Sequence, residues 1–311
     1  MANDAKLAGR GRPLAALFLL SLLWALDGLG PDLLPALRHS LMPAMERQAI
    51  TCALLAILAA AYALRQRGPL PDGRSALAWA GIGLLLFAAP IMLAAVAQGW
   101  VSQLERVAIF SLTPVIAVVL EPHLGNAQQR GNGALTAALA AVAGALCILP
   151  FALPSTPGAA AAVLVIVLAS ACAAVGNCLA VRLASFNSGG TPALCAAIAG
   201  GSAALAFAVA SACTEHAHLR FSQNLAQLVW LSLIDVPALM LLFWLLRQMS
   251  ATCMTTRFIL APLLTVMAGI ALEQPPVTTR MILGVLLMAG GAAWILFAPD
   301  DDERGDSIRL M

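Results

Sequence analysis

Ten apolar runs, each about 20 residues long and joined by short links, set the limits on what this chain can fold into. They cover roughly 14–34, 44–64, 76–97, 104–121, 133–153, 158–181, 192–213, 226–246, 251–272 and 280–298. A helix needs about 20 apolar residues to cross a bilayer. Lipid offers the backbone no hydrogen bonds, so only helices or closed barrels span it. The runs therefore predict an all-α, polytopic transmembrane bundle of ten helices. Composition decides against a soluble alternative: 61% of the residues are hydrophobic and 10% are charged, where soluble domains carry about 25% charge.

The links contain strong helix breakers. They include Gly68-Pro69-Leu70-Pro71, Gly131-Asn132-Gly133, Pro154-Ser155-Thr156-Pro157, and Ser185 to Thr191 with Gly189-Gly190. Lys6, Arg10 and Arg12 precede the first run as they would a signal peptide, but no convincing cleavage site follows. That run is expected to stay as the first span. The polar, acidic stretch 299–311 is expected to be a disordered tail.

Arginine placement predicts the orientation. With the N-terminus in the cytoplasm, eleven cations fall on the cytoplasmic side: Lys6, Arg10, Arg12, Arg65, Arg67, Arg74, Arg130, Arg182, Arg247, Arg304 and Arg309. Five face the other side: Arg38, Arg47, Arg106, Arg220 and Arg280. Cytoplasmic loops are the ones rich in Lys and Arg, so both termini are expected in the cytoplasm, with the protein in an inner membrane. The net charge of +2 is too small to suggest nucleic acid. The seven cysteines mostly fall inside apolar runs, at spacings that suit neither a disulfide framework nor a metal site.

Three landmarks repeat at one interval. Pro90 and Pro237 lie 147 positions apart, and Pro114 and Pro262 lie 148 apart. The segments 142–149 (VAGALCIL) and 289–296 (AGGAAWIL) are again 147 apart. The expected unit is a duplicated block of five spans. Five is odd, so the second copy must enter the membrane from the opposite side. Inverted repeats of this kind are common in secondary transporters, whose substrate site lies between the halves. The four prolines would mark helix breaks or gating points, since proline removes one helical hydrogen bond.

This five-plus-five plan resembles the drug/metabolite transporter superfamily, EamA type, over about 14–298. The residues carrying the resemblance are Leu23-Trp24, Arg47, the Pro114 and Pro262 spans, Glu273 eleven residues after Pro262, Gly284, and Gly290-Gly291. Two positions depart from the pattern. Trp24 is followed by Ala25 rather than glycine, and Gly125 stands where the first half should have a glutamate, with Glu121 earlier. The resemblance implies a cytoplasmic segment 1–13, repeats over 14–153 and 154–298, and a cytoplasmic tail 299–311. It also implies export of small metabolites or amphipathic compounds.

A charge at mid-membrane depth costs about 2.5–3.5 kcal/mol on insertion scales, so such residues usually face a cavity or a partner. Asp235, two residues before Pro237, can accept a proton or a substrate amine, or pair structurally with an arginine. Arg257 lies five residues before Pro262. Superposing Pro114 on Pro262 puts Arg106 three positions earlier, on the same helical face. Both guanidinium groups could then reach the central cleft, where they would favour anionic or zwitterionic solutes; snorkelling to the interface is the alternative. Asp27 either lines the cavity or sits near the outer interface with Asp32. Trp24 can stack substrate, whereas Trp100, Trp230, Trp244 and Trp294 read mainly as anchors or packing. Asn177 and Gln98 are further polar candidates. Spans 1, 3, 4, 6, 8 and 9 are expected to line the site.

Other signals are weaker. Glu215-His216-Ala217-His218 has no fourth ligand for zinc. Ser185 to Thr191 has no GxxxxGK pattern. No nucleophile motif is present. The expectation is a carrier without metal, cofactor or enzymatic activity, working on a small-molecule substrate within the bilayer, with Asp235 the candidate for proton coupling. A membrane-embedded enzyme or non-transporting subunit is the alternative. A homodimer stays open, because Gly81, Gly83 and Gly290 suit helix contact within one chain as readily as between two.

Overall fold

The computed structural model describes residues 2–34, 37, 42–67, 69–124, 132–149, 154–185, 190–214, 224–273 and 278–297, with the side chains of 2–10, 31, 32, 132 and 273 left aside. The cluster of Glu215, His216 and His218, Gly125, residues 186–189 and the tail 299–311 lie outside the described residues. Within them all regular structure is helical. Nine helices are long and apolar enough to cross a membrane. In chain order they are Gly11–Gly30, Ala44–Gln66, Gly73–Val96, Gln103–Leu124, Pro157–Ser185, Pro192–Thr214, Leu225–Leu245, Ala251–Leu272 and Thr279–Phe297. A tenth apolar helix, Gly133–Ile148, is shorter and lies fifth in sequence. The helices are numbered 1 to 10 below. This is a multi-pass membrane architecture.

Helices pack in matched pairs. Helix 2 lies along helix 7, and helix 5 along helix 10. Helix 1 packs on helices 8 and 9, while helix 6 packs on helices 3 and 4. Small residues set these approaches. A Cβ at Gly83 of helix 3 would lie 2.1 Å from the Ala199 carbonyl oxygen of helix 7. Gly144 and Gly284 bring helices 5 and 10 together so closely that a Cβ on either would fall within 3 Å of the other's carbonyl oxygen. Lipid tails are as apolar as leucine, so such van der Waals contact, rather than hydrophobicity, holds membrane helices together.

The prolines leave distinct marks. Helix 3 contains a π turn at Leu84–Ala88 and helix 8 one at Leu231–Asp235. In each the amide after the turn donates five residues back: Ala89 to Leu84 and Val236 to Leu231. Pro90 and Pro237 follow one residue later and have no N–H to donate. Widening the turn accommodates that missing donor.

Helices 4 and 9 break instead. Helix 4 divides into Gln103–Phe110 and Thr113–Leu124, helix 9 into Ala251–Thr255 and Arg257–Glu273. Hydroxyls bond back to the preceding turn on each side: Ser111 to Ala108 O (2.5 Å), Thr113 to Phe110 O (2.7 Å), Thr255 to Thr252 O (2.9 Å) and Thr256 to Thr252 O (3.1 Å). Such side chains compete for the carbonyls of the helical ladder and bend it. Ser102 and Ser250, 148 positions apart, cap the two helices on the amides three residues on. In helix 4 the third residue is Glu105, which closes a capping box within its own helix. In helix 9 the third residue is Cys253, and Glu121 of helix 4 supplies a carboxylate instead. It accepts from Ala251 N (2.8 Å), Thr252 N (3.2 Å) and the Thr252 hydroxyl.

Candidate functional site

A cavity of about 340 Å³ opens among these bent helices. Its walls come from helices 1, 3, 4, 6, 8 and 9, and also from helix 2 through Gln48, Thr51 and Cys52. Its surface is mainly apolar, and three of its lining residues carry charge: Asp27, Asp235 and Arg257. Cavities of this size and character are usual for small-molecule sites. A larger groove of about 810 Å³ runs between helices 2, 7 and 8. Half-exposed Leu58, Tyr62, Met240 and Trp244 line it, so it belongs to the outer surface.

At one end of the cavity two carboxylates share one guanidinium. The Arg47 Nη2 donates to Asp27 Oδ1 at 2.5 Å and Oδ2 at 2.6 Å, and to Asp235 Oδ2 at 3.3 Å. The Trp230 indole N–H also donates to Asp27 Oδ1 at 3.3 Å. Helices 1, 2 and 8 therefore meet through one polar cluster. Asp235 owes its position to the π turn, of which it is the last residue. Arg47 begins the second turn of helix 2, close enough to the helix end to reach across to both acids. The Arg47 and Asp27 side chains are 26% and 27% exposed, that of Asp235 only 11%. With all three groups ionised this cluster carries one surplus negative charge.

At the other end lies Arg257, 1% exposed and the largest fully buried side chain among the described residues. The break at Thr256 makes it the first residue of the long part of helix 9. Its Nη1 donates to Asn177 Oδ1 and to the Met254 carbonyl, each at 3.0 Å. Asn177, wholly buried on helix 6, is held in turn by donating from Nδ2 to Ala173 O at 2.6 Å. The guanidinium carbon stands 5.0 Å from the Trp24 ring centroid and 4.8 Å from that of Phe258. Aromatic faces are negative and attract a cation, but they carry no formal charge. Among the described residues no carboxylate lies within 4 Å of Arg257, and its buried Nε has no hydrogen-bond partner. Depth separates the two ends. Counted from the shared helix 8–helix 9 end, Asp235 lies ten residues deep and Arg257 six, a difference of about 6 Å at 1.5 Å per residue.

Of the residues singled out from sequence, Trp24, Asp27, Asp235, Arg257, Pro90 and Pro262 line this one cavity. Asn177 stands behind Arg257. Arg106, Pro114 and Pro237 do not line it. Arg106 turns to helix 3 and donates to Ala94 O at 3.4 Å, which corrects the expectation of two guanidinium groups converging on the cleft. Superposed on helix 9 it falls at Met254, three residues ahead of Arg257, so the two guanidinium groups start from different depths. Four contributors were not singled out as site residues: Arg47, Phe110, Phe258 and Glu121. Arg47 had a signal, being a charge at the start of an apolar run. The aromatic pair had one too, because Phe110 and Phe258 are 148 positions apart.

No protein-family model matches this chain, and no curated protein does. Solved structures do, in 27 chains. One, described as "Crystal structure of protein", aligns over 93% of this chain and 100% of its own length, with a TM-score of 0.73 at 17% identity. At that identity the likeness is one of fold: the helical arrangement over that share of the chain has a counterpart in a solved structure.

Proposed function

We propose that the protein is a secondary transporter of small metabolites or amphipathic compounds, built as two inverted five-helix repeats and working by alternating access. The observation that carries this reading is the cavity that buries charges from both halves between bent helices. The helix pairings support the repeat. Adding five to each helix number turns the pair 4–6 into 9–1 and 3–6 into 8–1, while 2–7 and 5–10 map onto themselves. The π turns support it further, since Leu84–Ala88 and Leu231–Asp235 stand 147 positions apart, the interval of Pro90 and Pro237. In this reading the helix of Gly133–Ile148 also spans, both termini are cytoplasmic, and the chain belongs to the drug/metabolite transporter superfamily of an inner membrane.

Alternating access needs one end of the cavity closed while the other opens. The Glu121 bonds to Ala251 and Thr252 tie helix 4 to helix 9 at one end. On the proposed topology that end is cytoplasmic. Proton coupling through Asp235 fits the surplus negative charge of the Asp27–Arg47–Asp235 cluster, which one proton neutralises. The protein is read as a carrier and not an enzyme. The test is metabolite analysis of media from deletion and overexpressing cells, followed by uptake of the enriched compound into proteoliposomes. A compound that accumulates outside overexpressing cells and exchanges across the proteoliposome membrane is expected. Binding without any flux in either direction would count against transport.

A further inference from the structure

The geometry points to Arg257 as the seat of a carboxylate, and to the ligand as an organic monocarboxylate with a mainly apolar body. This rests on the cavity being the substrate site, as argued above, and deepens that reading by naming the ligand's charge.

A buried ion without a counter-ion is costly unless something answers it. Arg257 is 1% exposed and lines the cavity, and no carboxylate of the described residues lies within 4 Å of it. The acids already described at this site are engaged elsewhere. Glu121 is spent on the start of helix 9, and Asp27 and Asp235 are held by Arg47. Two neutral acceptors, Asn177 Oδ1 and Met254 O, take only Nη1. The buried Nε is left without a partner. Guanidinium presents paired donors that match a carboxylate in two parallel bonds.

The charge count limits the anion to one negative charge. Arg257 is the one cation among the described residues that line the cavity. A phosphate carries about −1.5 to −2 at neutral pH and would exceed it, with the acid cluster at the other end of the same cavity. A carboxylate neutralises Arg257 without excess. The rest of the ligand meets Trp24, Phe87, Phe110, Phe258 and Leu239, an apolar and largely aromatic wall. A cationic group on the ligand meets one surplus negative charge rather than two free carboxylates, because Arg47 already bonds both acids.

The test uses the full-length protein in lipid nanodiscs and calorimetric titration of four probes: 3-phenylpropionate, its amide, 3-phenylpropylamine and inorganic phosphate. The carboxylate is expected to bind at least about tenfold tighter than the other three, the loss of one charge-assisted pair. Arg257→Lys should weaken carboxylate binding, and Arg257→Gln should erase the preference over the amide. Equal binding of carboxylate and amide by the wild-type protein overturns the proposal, and that result does not depend on any variant folding. Tighter binding of the amine or of phosphate overturns it as well, as does a carboxylate preference that survives in a folded Arg257→Gln protein. The same probes in proteoliposomes separate the two readings. Carboxylate-selective binding without flux keeps this proposal and removes transport. Flux of the probes without charge preference does the reverse.

Discussion

Phe110 and Phe258 stack on one another with ring centroids 6.1 Å apart and planes inclined by 14°, and they stand 148 positions apart in the chain, the interval of Pro114 and Pro262. Each helix break thus places a phenyl ring against the ring from the other. On the inverted-repeat reading proposed above, such a contact puts both rings near the axis relating the two halves. Phe258 also meets Trp24 at 6.0 Å and lies under Arg257.

Those extra contacts make the two rings unequal. Phe258→Ala should lower the melting temperature in detergent by more than Phe110→Ala, because it removes the stack, the Trp24 contact and one cation–π face together. Both rings are only half-buried, so each loss should fall below the ~3–5 kcal/mol typical of a fully buried phenylalanine in soluble cores. Melts followed by size-exclusion chromatography would read the order; equal losses would show that the shared ring stack alone matters, and a larger loss for Phe110→Ala would overturn the ranking.

The three members of the acid cluster should respond differently to neutralisation. Asp235→Asn leaves Asp27 on Arg47 through its two short bonds, so the protein should fold. Arg47→Gln leaves two carboxylates facing each other and should yield little folded protein, since stranding a buried charge is among the costlier single changes. If Asp235 carries the coupling proton, uptake driven by a pH gradient should vanish in Asp235→Asn while counterflow exchange persists. Unchanged pH-driven uptake would remove Asp235 from that role.

Glu121 joins helix 4 to the start of helix 9. Glu121→Gln keeps the shape but loses the charge, and charge-assisted bonds are roughly twice as strong as neutral ones. Cys178 packs with Ala117, Ala174 and Ala251 next to this contact and is fully buried. Its alkylation by N-ethylmaleimide should therefore speed up several-fold in the variant, while Cys195, buried between helices 3, 7 and 8, serves as the control. No change at Cys178 would mean the junction stays shut without the charge.

Two neighbouring glycines offer a paired test of packing. Gly83→Ala puts a methyl 2.1 Å from the Ala199 carbonyl oxygen and should cost about 1–3 kcal/mol through forced separation of helices 3 and 7. Gly81 has nothing within 4 Å of the added methyl. There alanine should be neutral or stabilising by about 0.5–1 kcal/mol, from helix propensity. Thermal melts of the two variants should move in opposite directions or differ clearly in size.

Hydropathy made the helices legible, because membrane insertion depends on summed apolarity along about 20 residues. The prolines made the 147-residue interval legible, since each must distort its helix wherever it lies. Contacts across long chain distances were not legible. Nothing near Asp27 in sequence announces that Arg47 will sit between it and Asp235, 188 positions beyond Arg47. The Arg106 expectation went astray for a related reason. Positions offset by three share a helical face, but the direction of a long side chain depends on which acceptor it can reach, here Ala94 O. Glu121 illustrates the same limit. Its partner amides belong to a helix that starts 130 residues later.

The π turns carry a mechanical consequence. Each holds one residue more than a regular turn, in helices 3 and 8, immediately ahead of a proline. A surplus residue is slack: passing it to the next turn swaps one set of backbone bonds for another and rotates the helix on one side by about 100°, the angle of a single residue. Such a fault lets a rod twist at a fixed depth without unwinding. In helix 8 the residue riding on that fault is Asp235, so a twist there would carry its carboxylate away from Arg47 and make the cluster's charge balance a reporter of helix shape.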